Sequence, residues 1–322
     1  MNFDLILLIV LFVIFFTYYF FNRDKFTRQG VVILYKTKVG LKLMDKLASY
    51  PRLLNFLSYI ILFTSYVGMI FILGYLAYGT YKLLFIPNSQ PVIAPLLPGI
   101  SISPEIPAIS FWHFIIGVAI AVVIHEFAHG VYSRLYKIKV KSSGLGFIGP
   151  LPVAFVEPDE KKLKTLEAKK QSTVIGAGPF VNIVFAFLIL LLFSYVIAPA
   201  EKSITNIEGV SLAKVEEGSP ANLSGLYPGL IIKEINGVKI ASYQQVIDEI
   251  QKSNGETLKI RTNEGDFYVK PNIVDNKPII GINLGEIEVK MAKGLPQFLL
   301  PVLTWINMLF YWLHIINLGL GL

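Results

Sequence analysis

The stretch from Phe111 to Leu135 reads FWHFIIGVAIAVVIHEFAHGVYSRL. It is long enough for a helix that crosses a bilayer, because about 20 apolar residues rising 1.5 Å each span the hydrocarbon core. Within it lie His125, Glu126 and His129. A helical carboxylate at bilayer depth costs at least about 2.5 kcal/mol on insertion scales. Three such polar groups together therefore indicate a chemical role rather than packing alone.

The spacing of these groups predicts a metal site. His125 and His129 are four residues apart, so they project from one face of a helix. Two imidazoles placed in this way can bind one zinc ion, and Glu126 can reach a water on that zinc as a general base. Zinc would lower the pKa of that water toward about 7. We therefore predict Zn²⁺ as cofactor, His125 and His129 as ligands, and Glu126 as a catalytic residue.

The composition predicts a membrane protein. Of 322 residues, 54% are hydrophobic and 16% are charged, whereas soluble domains carry about 25% charged residues. The absence of cysteine excludes disulfides, thiolate zinc ligands, iron–sulfur clusters and thiol catalysis. Four more apolar stretches bring the total to about five predicted spans: Phe3–Phe21, Leu54–Phe85, Ile175–Ala198 and Leu295–Leu322.

The net charge of +7 is concentrated in two loops, one between the first two spans and one between the third and fourth. The positive-inside rule makes both loops cytoplasmic and the N-terminus external. We expect a multi-pass protein of the plasma membrane, in contact with membrane lipid. Nucleic acid is not an expected partner, because no folded module carries a basic face interleaved with aromatic residues.

A polar module is predicted between the fourth and fifth spans. From 201 to 293 acids and bases nearly balance, and short alternating runs end in turn pairs such as Asn236-Gly237 and Asn254-Gly255. Ser242–Lys252 has helical spacing, with Ser242 as a plausible N-cap. The predicted domains are a membrane domain (1–200), a small α+β domain outside the membrane (201–293) and a last span (294–322).

The segments Gly218–Ala221 and Gly225–Ile240 resemble the signature of PDZ domains attached to bacterial and archaeal proteases. The resemblance implies a groove that accepts an extended peptide by β-augmentation. It also places the loop around Ile207, Glu208 and Gly209 at the carboxylate-binding end. The alternative is a domain that has lost its ligand and serves as a spacer.

Two features near the zinc motif complete the candidate site. Gly178-Pro179-Phe180-Val181-Asn182 opens the fourth span, and Asn182 could bind the scissile carbonyl or the oxyanion, or could join two helices. The apolar loop Gly144–Val156 is expected to enter the membrane and to offer a strand to an unwound substrate. His113 and His314 are expected to have structural roles.

These residues together resemble the site-2 protease family of intramembrane zinc metalloproteases. The resemblance covers the His125–Gly130 motif, the loop after it, Gly178-Pro179 with Asn182, and the PDZ-like module, about the last two-thirds of the chain. It implies cleavage of transmembrane segments of single-span regulatory proteins. It also implies a third zinc ligand, an aspartate in a Leu-Asp-Gly motif that follows a stretch like Asn317–Leu322.

Since no aspartate follows Asp275, we expect the sequence to stop before the third ligand. Glu157 and Asp159 could replace that ligand by chemistry, but they lie in a basic loop. The leading hypothesis is an intramembrane zinc endopeptidase. The alternative is a catalytically incomplete membrane adaptor that binds peptides through its PDZ-like domain. A metal transporter fits poorly, because no other intramembrane carboxylates line a path.

Overall fold

The computed structural model describes residues 10, 13–14, 16–23, 26–30, 32–87, 89, 96–99, 108–148 and 151–322. More than half of the predicted span Phe3–Phe21 lies outside these residues, so that prediction is not tested. The chain forms two compact units, residues 1–194 with 306–322, and residues 195–305. The predicted α+β domain, 201–293, begins 6 residues after and ends 12 residues before the second unit.

The first unit contains helices and one small sheet. In chain order its elements are β1 (Phe26–Gln29), β2 (Val32–Thr37), α1 (Leu41–Ala48), α2 (Pro51–Phe85), α3 (Phe111–Leu135), β3 (Val140–Ile148), β4 (Leu151–Pro158), α4 (Glu160–Lys164) and α5 (Ala168–Leu192). A π-helical turn, Phe193–Ile197, and α6 (Ala198–Ile204) continue α5.

Four helical segments of the described chain are long and apolar enough to cross a membrane: Pro51–Phe85, Phe111–Leu135, Ala168–Ile204 and Leu299–Gly321. They correspond to the second to fifth predicted spans, and the prediction of a polytopic membrane protein is confirmed. Local sequence explains their starts. Pro51 occupies the first turn of α2, where its missing N–H costs nothing, and Ser110 caps α3 by accepting from the His113 N–H.

A four-stranded antiparallel sheet, β1-β2-β3-β4, accompanies the helices. Its β3–β4 hairpin corresponds to the apolar loop predicted at Gly144–Val156, although Pro150 lies outside the described residues. Strands β2 and β3 approach closely at Gly144, where an added Cβ would lie 2.1 Å from the Tyr35 carbonyl oxygen. β4 is an edge strand of the sheet and packs against α3.

The second unit is an α+β domain, as predicted. Its elements are β5 (Thr205–Val215), α7 (Pro220–Leu223), β6 (Ile231–Ile235), β7 (Val238–Lys239), α8 (Tyr243–Lys252), β8 (Leu258–Thr262), β9 (Asp266–Val269), β10 (Asn272–Val274), β11 (Lys277–Ile279) and β12 (Ile282–Met291). The main sheet has the order β12-β5-β6-β8-β9, and β7 pairs with β6. Ser242 caps α8 as predicted, accepting from the Gln245 N–H.

The last helix is α9 (Leu299–Gly321). Trp312 and Ile316 of α9 are buried in one apolar cluster with Ala121 of α3 and Ile109. The helix that carries the zinc motif is therefore packed on both α5 and α9, which restricts its rotation.

Candidate metal centre

The two histidines of the motif meet as the helical spacing predicts. The ring centroids of His125 and His129 are 4.8 Å apart, with the ring planes at 78°. Both rings face Gly178 of α5. A Cβ added there would lie 2.5 Å from His125 Nε2 and 2.6 Å from His129 Nε2. The missing side chain of Gly178 therefore leaves a space on which both Nε2 atoms converge.

The opposite nitrogen of each ring is engaged by α5. His129 Nδ1 lies 2.6 Å from the Val174 carbonyl oxygen, which can only accept, so Nδ1 carries the proton. Nε2 of His129 is then left with a bare lone pair directed at the Gly178 space. Metal-bound histidines commonly donate their second ring N–H in this way, which fixes the tautomer and the ring orientation.

Asn182 does the same for the other histidine. Its Nδ2 is 3.1 Å from His125 Nδ1, its Oδ1 has no hydrogen-bond partner among the described residues, and the residue is fully buried. Turning the amide by 180° lets Oδ1 accept from Nδ1–H, which satisfies the buried oxygen and leaves Nε2 bare. Asn182 thus contacts a predicted ligand rather than the space in front of it, which favours support of His125 over binding of an oxyanion.

Glu126 has a separate support. Its Oε2 accepts the Val156 N–H of β4 at 3.1 Å, and the side chain is half-buried. The segment predicted as an apolar loop therefore contains part of β4, the strand that holds the predicted catalytic carboxylate. Glu126 also lines a cavity of about 360 Å³ between α3, α1 and the sheet.

The ring nitrogens of His125 and His129 fit part of a zinc site. A catalytic zinc takes three protein ligands and keeps one position for water. The two imidazoles offer bare nitrogens to one space, and imidazole suits zinc. Among the residues that the structure describes, no group of three His, Asp or Glu side chains that could hold a metal is found. His125 and His129 could therefore supply two of the ligands of such a site.

The alternative ligands considered from the sequence have other partners. Glu157 accepts from Ser142 Oγ at 2.6 Å and Lys36 Nζ at 2.9 Å, and these hydrogen bonds, that from Ser142 first, hold its pKa below the usual range. Asp159 caps α4 through the Lys162 N–H. Ser110 contacts His113 Nδ1, and the Ala186 carbonyl contacts His314 Nδ1.

The predicted peptide-binding residues Ile207, Glu208 and Gly209 lie in β5. Ile207 and Gly209 pair with β12, and Glu208 lies at the register irregularity between them. The hydrogen bond from Lys290 is the main cause that keeps the pKa of Glu208 below its usual range. A cleft of about 550 Å³ in this unit is lined instead by α8 and residues 278–284, and it does not include these three. The structure thus does not bring them into the cleft.

Sequence reasoning gave no separate role to Asn317. It is fully buried on α9, it donates to the Leu313 carbonyl at 2.7 Å, and its Oδ1 has no hydrogen-bond partner among the described residues. A buried amide oxygen without a partner is costly, so such a group needs an explanation. A lone amide inside an apolar span is the signal that could have identified it.

Comparison with known proteins identifies the family of the chain. The family described as Peptidase family M50 matches residues 113–322, which contain His125, Glu126, His129, Gly178 and Asn182. The chain belongs to peptidase family M50, the site-2 protease family. The resemblance inferred from the sequence is therefore confirmed.

The relatives include an uncharacterized protein of Methanocaldococcus jannaschii, 29% identical over 274 residues that cover 83% of this chain and 67% of that protein. The zinc metalloprotease RasP of Shouchella clausii is 30% identical over 105 residues, 33% of this chain. That match spans only 23% of RasP. A solved PDZ domain of an SdrC-like protein from Listeria monocytogenes is 32% identical, with a TM-score of 0.23, and covers 24% of this chain and 90% of that domain.

Proposed function

We propose that the chain carries the active site of an intramembrane zinc endopeptidase that cleaves transmembrane segments of single-span regulatory proteins. One observation carries this proposal: two imidazole Nε2 atoms converge on the space at Gly178, while Glu126 of the same helix is fixed by β4. A pair of imidazoles with an adjacent carboxylate on one helix is an arrangement that supports metal-assisted peptide hydrolysis.

His125 and His129 would hold the zinc, supported by Asn182 and Val174. When bound, zinc supplies Lewis acidity that lowers the pKa of a water molecule toward about 7. Glu126 accepts the proton as the water oxygen bonds to the peptide carbonyl carbon. It returns that proton to the amide nitrogen as the C–N bond breaks, so the carboxylate is regenerated. The Val156 N–H keeps the carboxylate oriented throughout.

We infer that the substrate enters as an unwound segment beside β4. This strand is the last of its sheet, and an extended chain can add to such an edge through main-chain hydrogen bonds. Because β4 also holds Glu126, a segment aligned there would run past the proton acceptor. The same placement would keep the exposed backbone of the segment hydrogen-bonded at membrane depth, as a bilayer demands.

The orientation proposed from charge places the basic loops in the cytoplasm and residues 201–293 outside the plasma membrane. The second unit would then meet the outer part of a substrate, as a peptide-binding or size-selecting domain. Deleting it should allow cleavage of substrates that retain bulky outer domains. Unchanged selectivity after the deletion would contradict this role.

The direct test is cleavage of a single-span test substrate by the full chain in lipid nanodiscs, with zinc supplied. Glu126→Gln should lower the cleavage rate by roughly 10²–10⁴-fold, the usual contribution of a general base. Glu160→Gln, an exposed carboxylate of α4, is the matched control and should cleave like the parent. Equal rates for Glu126→Gln and the parent would overturn the mechanism.

A membrane adaptor is the second candidate, because no three-residue metal group is found within the described parts of the chain. Zinc content and peptide binding separate the two functions. Purified protein that contains no zinc, cleaves nothing and still binds exported peptides would favour the adaptor. Zinc bound in a one-to-one ratio, and lost in His125→Ala, would favour the protease.

A further inference from the structure

The cavity beside Glu126 is an apolar pocket. Its volume is about 360 Å³, and it is lined by residues of α1, α3, β2, β3 and β4. Val39, Met44, Val123, Phe127, Ala154 and Phe155 form most of its apolar wall. Among the described residues that line it, Glu126 is the only one with a charge.

The pocket has one closed side and one open rim. Met44 is almost fully buried, at 2% exposure, whereas Val39 is 78% and Val123 44% exposed. A group can therefore enter between the exposed residues and contact the buried ones. The volume lies at the low end of the roughly 300–1,000 Å³ typical of ligand pockets, so it suits one large side chain and not a folded domain.

The position of Glu126 relates this pocket to the proposed reaction. Val123 and Phe127 flank Glu126 on α3, and Ala154 lies two residues before Val156 on β4, so the carboxylate and the pocket wall are built from the same two elements. A side chain in the pocket therefore lies beside the group that accepts the proton. Its own backbone would be next to the bond being cleaved.

We propose that this pocket selects the substrate, by taking one large apolar side chain, such as Leu, Met or Phe, from a residue flanking the scissile bond. The inference rests on the proposed protease function. An apolar side chain that leaves lipid for this wall gains van der Waals contacts with the closely packed residues around it. An acidic side chain is rejected, because it would lie unpaired against the Glu126 carboxylate.

The first experiment maps the cleaved bond of a single-span test substrate by mass spectrometry and then varies each flanking residue. We expect replacement of Leu or Phe by Ala on one side of the bond to lower kcat/KM about tenfold or more, and replacement by Glu to lower it further. The residue on the other side of the cleaved bond should tolerate both replacements. Equal tolerance on both sides would overturn the proposal.

Two substitutions are expected to reverse the preference for a large apolar side chain at the selected position. Ala154→Phe fills the pocket and should make Ala or Gly the preferred residue at the selected position. Val123→Phe narrows the open rim and should have the same effect, and because Val123 is partly exposed this change is tolerated by the fold. Ala77→Phe on the exposed part of α2 is the control and should keep the parent preference. If the preference stays unchanged in both pocket variants, the pocket does not select the substrate side chain.

A crosslinking measurement separates failure of the pocket from failure of the protease function. A photoreactive phenylalanine replaces Leu145, which also lines the cavity and is 48% exposed, and the crosslinked residue of the substrate is identified. Crosslinks to one apolar residue without any cleavage would support the pocket and contradict the protease function. Cleavage with crosslinks scattered along the substrate would support the protease and overturn the pocket. If neither cleavage nor crosslinks are observed, both the pocket and the protease function are contradicted.

Discussion

The side-chain amide of Asn182 lies 3.1 Å from Nδ1 of His125, on the side of the ring opposite the space at Gly178. The contact joins α5 to α3, and with the amide turned so that Oδ1 accepts from Nδ1–H it leaves Nε2 of His125 free to bind a metal. Asn182 is fully buried, so water cannot replace it. The geometry therefore gives Asn182 the role of a positioning residue.

Asn182→Leu should weaken zinc binding by about 10- to 100-fold, the usual cost of losing the partner of a histidine ligand. Asn182→Asp should retain most of the affinity, because a carboxylate oxygen also accepts from Nδ1–H. Competition with a chromogenic chelator measures both. Asn272→Leu, on the exposed strand β10, is the control. Equal affinity in the Leu and Asp variants would show that the contact does not support the ligand.

Gly178→Ala should abolish zinc binding without unfolding the protein. The added Cβ would lie 2.5 and 2.6 Å from the two Nε2 atoms, so it occupies the space they face. Alanine favours a helix over glycine by about 1 kcal/mol, so α5 itself is not weakened. Gly68→Ala is a matched control, because nothing lies within 4 Å of its added Cβ. Zinc per chain, measured by mass spectrometry, should fall in Gly178→Ala alone, and retention there would refute the assigned metal position.

The contacts of Glu157 predict a pH-dependent stability of the sheet. Ser142 and Lys36 hold its pKa below the usual range. Its stabilising contribution is therefore complete above the unfolded pKa of about 4.3 and is lost as the pH falls through the lowered folded value. Glu157→Gln should lower stability at pH 7 by under about 1 kcal/mol, because the pair is partly exposed.

Hydrogen exchange of β3 and β4 measures this effect. The difference between Glu157→Gln and the parent should shrink as the pH is lowered below 4. Glu160→Gln provides the baseline for loss of an exposed carboxylate in the same region. A difference that grows on acidification would contradict the assigned direction of the pKa shift.

Ile232→Ala should destabilise the second unit and leave the metal centre intact. Ile232 is fully buried in the core of residues 195–305, where a truncation to Ala costs about 2–5 kcal/mol. Ile273→Ala, 53% exposed, is the control. Proteolysis between 205 and 291 should accelerate in Ile232→Ala, while zinc affinity stays constant. Parallel loss of both would mean that the two units do not fold independently.

Much of the metal centre could be predicted because helical spacing alone places His125 and His129 on one face. The α+β unit was also predictable, since Ser242 and the Asn-Gly turns mark its elements. The hydrogen bonds that orient the site residues could not be predicted from the sequence. Those of Glu126 with Val156 and of His129 with Val174 join residues 30 and 45 positions apart. An apolar run such as 144–156 gives no signal that separates a membrane-entering loop from a strand.

The two supports of the motif face different parts of the protein: the imidazoles rest against α5, and the carboxylate rests against the β3–β4 hairpin. Loss of metal and loss of proton transfer are therefore separable defects. Sequence drift in α5 would yield chains without zinc, whereas drift or an insertion in the hairpin would yield chains that bind zinc and are inert. Inactive members with an intact His-Glu-x-x-His motif should accordingly fall into two groups, distinguishable by metal content alone.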